Sequence, residues 1–154
     1  MKDDVDEMVT TLALTVFRAN GALIAAGDSL TAPFGLSSAR WQVMGAVELA
    51  GQPLTVAQIA RNMGLARQSV QRLIDELERD GIVALDENPH HKRARLVRLT
   101  LQGREAYAAI MKEWHAMAAR LAEGMNATGL RAAIGSLEQL SAGLDAQRPP
   151  TNLL

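Results

Sequence analysis

The chain contains no cysteine among its 154 residues. Disulfides, thiolate metal sites and thiol-based redox sensing are therefore excluded. The short motifs of common enzymes are missing too: no Walker loop, no dinucleotide glycine pattern, no HExxH helix, and no nucleophile beside an evident base. The paired acids Asp75-Glu76 fall on a helix surface, and His90-His91 sit on a polar loop where solvation or phosphate contact is the commoner role. No catalytic set, metal site or cofactor is expected. No apolar run approaches the roughly 20 residues of a membrane span. The first seven residues carry four acids against one lysine, unlike a secretory signal or a basic transit peptide. A cytoplasmic protein without membrane attachment is the expectation. Net charge is only -1, so affinity for a polyanion has to come from local clustering of bases.

Such clustering occurs between Leu54 and Thr100. Thr55-Val56-Ala57-Gln58 has the form of a capping box, in which the threonine hydroxyl accepts a backbone N–H and the glutamine reaches back to the cap. Leu54 and Ile59 stand where a hydrophobic staple would set the entry angle. A short helix starts there and ends at Gly64, a residue that takes a left-handed conformation without strain. Leu65, Val70, Leu73, Ile74 and Leu77 then mark one face of a second helix, with Arg67, Gln68, Ser69, Gln71, Arg72 and Glu76 opposite. After Gly81, Ile82-Val83-Ala84-Leu85 reads as a strand, and Leu96, Val97 and Leu99 mark another. The polar connection holds Asn88-Pro89 and His90-His91-Lys92-Arg93. From residue 89 to 104 there are five bases and no acid. Two helices joined at a glycine, followed by a basic hairpin, read as a winged helix-turn-helix. In that arrangement Arg67, Gln68, Ser69, Gln71 and Arg72 would meet base edges and phosphates, and Lys92, Arg93 and Arg95 would meet the DNA backbone or minor groove. The rival is a winged helix used only for protein contact or dimerisation, without sequence-specific DNA binding.

These residues carry a family resemblance. Leu36-Ser37 before Trp41, the helix pair from Leu54-Thr55 to Leu73, Leu77-Glu78-Arg79-Asp80-Gly81-Ile82-Val83, the Asn88-Pro89 to Ala94 wing and Leu99-Thr100-Leu101-Gln102-Gly103-Arg104 together resemble the MarR family of bacterial regulators. The resemblance implies a homodimer on a pseudo-palindromic operator in double-stranded DNA, commonly a repressor released by a small aromatic or anionic effector. Two positions depart from the family pattern. His91 stands where an aspartate usually steadies the arginine that enters the minor groove, here Arg93, leaving Asp86 or Glu87 as possible substitutes. Ala66 stands where an aspartate or serine often caps the recognition helix.

The flanks fit this plan. Residues 5 to 27 read as a helix whose apolar surface exceeds one stripe, so it must be covered on more than one side. It is either a core helix or an interface between copies, and a similar excess near the C-terminus favours the interface. Residues 28 to 36 read as a loop, and Ser37 as the cap of a helix through Trp41 to Leu49. In the resembling family this helix lines a cavity, which makes Arg40 and Trp41 candidates for holding an aromatic anion, by charge and by stacking. Thr100 caps a long helix, Gly124 to Gly129 breaks it, and a last helix carries Leu130, Ile134, Leu137, Leu140 and Leu144 up to Pro149-Pro150. The expected fold is mainly α with a small two- or three-stranded β-wing. Its expected divisions are 1–35 for an N-terminal dimerisation helix and loop, 36–100 for the winged helix-turn-helix, 101–147 for C-terminal dimerisation helices, and 148–154 for a tail.

Overall fold

Thr55 keeps an extended backbone (φ -76°, ψ 157°) while its hydroxyl accepts the Gln58 N–H at 3.2 Å. The Gln58 carboxamide accepts the Thr55 N–H at 2.8 Å, which completes the capping box and starts helix α3, Val56–Met63. The helix ends at Gly64, where φ is +64°. Helix α4 then runs Arg67–Arg79, with Ala66 at its cap position and no side-chain bond there. The computed structural model describes residues 2–147 in this manner. Pro149-Pro150 and the expected tail lie outside the described residues.

The elements before and after this pair follow from equally local causes. Helix α1 spans Lys2–Thr31 and passes through a short 3-10 turn, Ala32–Phe34, to helix α2, Ser38–Leu49. The Ser37 hydroxyl accepts the Arg40 N–H, and the Asp28 carboxylate accepts the Ser38 N–H at 2.7 Å, so α2 is capped from two directions. The loop expected from residue 28 therefore begins only after α1 has made another turn. Gly27 serves packing there instead: a β-carbon on it would lie 2.5 Å from the Ser38 hydroxyl.

Two strands, β2 (Val83–Asp86) and β3 (Leu96–Leu99), form the hairpin. A third, β1 (Leu54–Thr55), pairs with the other side of β3, giving the antiparallel order β1-β3-β2. Val97 consequently faces Leu54 on one side and Leu85 on the other. Helix α5 covers Leu101–Ala122 and helix α6 covers Ala127–Ala146. The fold is mostly helical with a three-stranded antiparallel sheet, as the sequence indicates.

The chain divides into two compact units, one ending at Trp114 and one beginning at His115. In the first, Val43, Met44, Ile59, Val70, Ile74, Leu77 and Val97 are fully buried and build one core under α2, α3, α4 and the sheet. In the second, α6 buries no residue at all. Helix α1 is also largely uncovered, with Phe17 exposed by 73%. One expectation is corrected here. Within Asp4–Phe34 an 18-residue window reaches a mean hydropathy of 1.4, so by length and composition this helix could cross a membrane. No unbroken apolar run marks it, because threonine, asparagine and glycine interrupt this stretch, but they add no charge, and Arg18 is its only charged residue between Glu7 and Asp28.

Candidate nucleic-acid interface

The start of α4 is open to solvent. Arg67, Gln68 and Ser69 are exposed, and among the described residues their side chains have no hydrogen bond or ion pair. Their exposure follows from the spacing of the core positions: Val70, Leu73, Ile74 and Leu77 all point inward, so the residues between them point out. The two remaining candidates on this helix are held. The Gln71 amide donates to Asp75 at 2.7 Å, and Arg72 lies 3.6 Å from Glu76. Both acids stand four residues further along, the spacing at which helix side chains meet.

The wing brings further bases to the same side. The Asn88 carboxamide closes its tip by donating to the Ala94 carbonyl at 2.9 Å and accepting the His90 N–H at 3.0 Å. Arg95 donates to the Leu85 carbonyl, which fixes it along the hairpin. Lys92 and Arg93 remain exposed at the tip. An open concavity of about 520 Å³ lies between the wing and the helix pair, and Thr55, Arg67, Gln71, His91, Arg93 and Arg95 all line it. Side chains from the recognition helix and the wing thus border one basic hollow. His91, whose loop the sequence offers for solvation or phosphate contact, stands in this lining, and so does Thr55, which the sequence marks only as a helix cap.

Asp86 does not take the role left open by His91. It pairs instead with Arg98 at 2.6 Å, across the strands and away from the tip. Arg93 has no ion pair among the described residues.

The residues expected to hold an effector separate. Arg40 is committed to α4, with nitrogens 3.0 Å from Glu76 and 2.9 Å from Asp80. Trp41 lines a second hollow of about 500 Å³ together with Asn20, Gln42, Met63, Leu65 and Tyr107, and Arg40 is not part of that lining. The Trp114 ring meets Trp41 edge to face, centroids 5.7 Å apart. Burial, and secondarily the nearby Glu48 carboxylate, raise the Tyr107 hydroxyl above the ordinary tyrosine pKa. Tyr107 reads in the sequence only as one more apolar-face position of a long helix, and nothing in that pattern distinguishes a cavity wall from core. Among the described residues, no group of three or more potential ligands is placed to hold a metal ion.

Comparison with known proteins places this geometry in a family. The MarR family model matches residues 34–94. An uncharacterized protein of Mycobacterium tuberculosis is 34% identical over 145 residues, covering 94% of this chain and all of the relative. The transcriptional activatory protein BadR of Rhodopseudomonas palustris is 28% identical over 106 residues, covering 68% of this chain and 61% of BadR. Among solved structures, a MarR family transcription regulator superposes with a TM-score of 0.77 at 22% identity, covering 96% of this chain and 99% of its own. MosR of M. tuberculosis, solved in complex with DNA, gives 0.71 at 23% identity, covering 88% and 98%. CouR of Rhodococcus jostii RHA1, solved with p-coumaroyl-CoA, gives 0.74 at 23% identity, covering 83% and 90%. At these identities the structural matches speak for the fold. Capped helix pair, three-stranded wing, family model and the folds of solved MarR regulators all agree: the chain belongs to the MarR family of winged-helix transcription regulators.

Proposed function

We propose that the protein binds a pseudo-palindromic DNA operator as a homodimer, represses transcription from it, and is released by a small aromatic or anionic effector. The carrying observation is the shared hollow in which Arg67 of α4 faces Arg93 and Arg95 of the wing. In a dimer, two α4 helices would enter major grooves about 34 Å apart while each Arg93 reaches the adjacent minor groove. The three unpartnered side chains, Arg67, Gln68 and Ser69, are the best placed for base edges, because an arginine or glutamine fork that is already engaged has to be released first. Gln71 and Arg72 suit phosphates. The name of MosR's partner, DNA, supports this reading of the fold, and CouR's bound thioester supports the effector. A cytoplasmic location fits a protein that works on the chromosome.

Self-association is supported by what the chain leaves uncovered. Ile134 and Leu144 on α6 are 55% and 58% exposed, and α1 separately leaves Phe17 and Leu23 exposed. Apolar surface on that scale is covered in solution by another surface, and a second copy carries the matching stripe.

The test is binding of the purified protein to the DNA upstream of its own coding region, titrated over several salt concentrations against an unrelated duplex. Tight, sequence-preferring binding that weakens steeply with salt is the expected result, because each neutralised phosphate releases counterions. The double variant Arg67→Ala with Arg72→Ala should abolish that binding and leave the dimer intact. Equal, weak binding to both duplexes would favour a winged helix used for protein contact. A reporter placed behind the upstream DNA then distinguishes repression from the activation that BadR's name describes.

A further inference from the structure

We infer that the cavity beside the helix-turn-helix turn takes an uncharged aromatic molecule, and that a carboxylate is the wrong ligand for it. This deepens the effector part of the proposed function and rests on it. The cavity volume of about 500 Å³ lies in the range of small-molecule sites. Trp41 offers a ring face, and Trp114 packs edge to face against it at 62°, which limits how that face can turn. Every residue lining the cavity is uncharged at neutral pH. The polar side chains in the lining are the Asn20 and Gln42 amides, the Trp41 indole N–H and the Tyr107 hydroxyl, uncharged groups that serve a phenol, an ester or an amide by hydrogen bonding.

Charge decides the ligand class. The arginine next to Trp41 in the chain, Arg40, is held by Glu76 and Asp80 and does not reach the lining. A charge that does act on the cavity wall is negative: Glu48 adds, after burial, to the raised pKa of Tyr107. A carboxylate entering here would lose water without gaining a cation, and it would approach a fixed anion of like sign. An uncharged ring has neither cost.

The position also gives the ligand purchase on the DNA-reading helix. Met63 and Leu65, both in the lining, flank Gly64, the left-handed residue that joins α3 to α4. A molecule pressing on these two side chains acts on the turn that sets the angle of α4. Trp41 is the chain neighbour of Arg40, whose ion pairs tie α2 to the far end of α4. An occupant of the cavity therefore touches the turn at one end of the recognition helix and also α2, the helix whose Arg40 is tied to its other end. Release of DNA further requires that it bind the low-affinity arrangement more tightly.

A charge-matched pair of probes tests the inference on the intact protein. Methyl 4-hydroxybenzoate and 4-hydroxybenzoate share a phenol ring and differ in one negative charge. Both tryptophans of the chain sit at or beside the cavity, so intrinsic fluorescence reports occupancy. The ester should quench this fluorescence with a Kd at least about tenfold below that of the acid. Gly45 and Tyr107 both line the cavity, and a β-carbon on Gly45 would already lie 3.4 Å from the Tyr107 hydroxyl, so the bulk of Gly45→Leu should crowd the site and remove ester binding. Leu65 is 46% exposed, so Leu65→Arg can be made without disturbing the core and should turn the preference toward the acid. Equal or tighter binding of the acid by the unsubstituted protein would overturn the ligand class. Ester binding that survives Gly45→Leu, or no quenching by either probe up to its solubility limit, would overturn the site. Failure of the DNA titration with ester binding intact would instead remove the proposed regulatory function and leave this cavity assignment standing.

Discussion

The core beneath α2, α3, α4 and the sheet and the terminal helix α6 are made from similar residues and end in opposite conditions. Val43, Val70, Ile74 and Leu77 lie at or near zero exposure, whereas Leu130, Ile134, Leu137 and Leu144 remain between 37% and 58% exposed. Both sets recur at helical spacing. The difference is that the first set meets partners within its own chain and the second does not. Periodicity states that a face must be covered, and only the surroundings state what covers it. A single chain can therefore be complete as a DNA-reading head and incomplete as a folded surface.

The comparison can be broken first at α6. Replacing Ile134 and Leu137 together by glutamate should weaken self-association by about a thousandfold or more, since it places charge on a stripe meant for burial. Sedimentation would read this as monomers that retain the helical content of the winged head. An unchanged mass would show that the stripe on α6 is not the interface. The next largest effect is expected at Gly103, the third residue of α5. A β-carbon there would lie 2.1 Å from the Ile82 carbonyl oxygen, a backbone atom that cannot swing aside. Gly103→Ala should cost about 3 kcal/mol, read as a lower urea midpoint for the head. An unaltered midpoint would mean that the first turn of α5 shifts freely.

A smaller effect tests whether α4 is braced from within the head. Arg40→Gln removes both ion pairs to Glu76 and Asp80, whose side chains are partly exposed, and should lower stability by no more than about 1 kcal/mol. Thermal melts at low and high salt check this, because the loss should shrink as salt screens the pairs. The smallest effect concerns Tyr107. Its folded pKa is raised, so in alkaline solution the native state holds a proton that the unfolded chain has lost. The resulting stability is present in full below the unfolded tyrosine pKa, about 10, and disappears as pH rises through the folded value. Tyr107→Phe should flatten that alkaline decline in a denaturation series, and an identical slope in both proteins would assign it to other groups.

The head was legible because its signals are local. The Thr55 capping box, the Gly64 turn and the Thr100 cap each depend on residues three or four apart, and each stands as the sequence indicates. The sequence leaves the third strand open because the two residues of β1 carry no alternation, and its pairing with β3 spans more than forty positions. Gly27 shows a different limit. Glycine before aspartate reads as a break, but here the missing side chain admits Ser38 and the aspartate caps α2. The interface residues were reached by spacing alone, while their separation into free and engaged side chains depends on acids one turn away. Arg40 illustrates the limit most clearly. Its charge is visible in the sequence, and its partners lie 36 and 40 residues further on.

The order of the sheet has a mechanical consequence. Strand β1 leads into α3, β2 follows α4, and both are bonded to the single strand β3. The helix pair is thus a loop whose two ends are fastened to one bar, with Val97 opposite Leu54 at the entrance and opposite Leu85 at the exit. Tilting the wing tilts both anchor points at once. In the proposed complex, the depth at which the wing would enter one groove and the height at which the helix would enter the next are consequently one adjustment, and a change along β3 would alter both together.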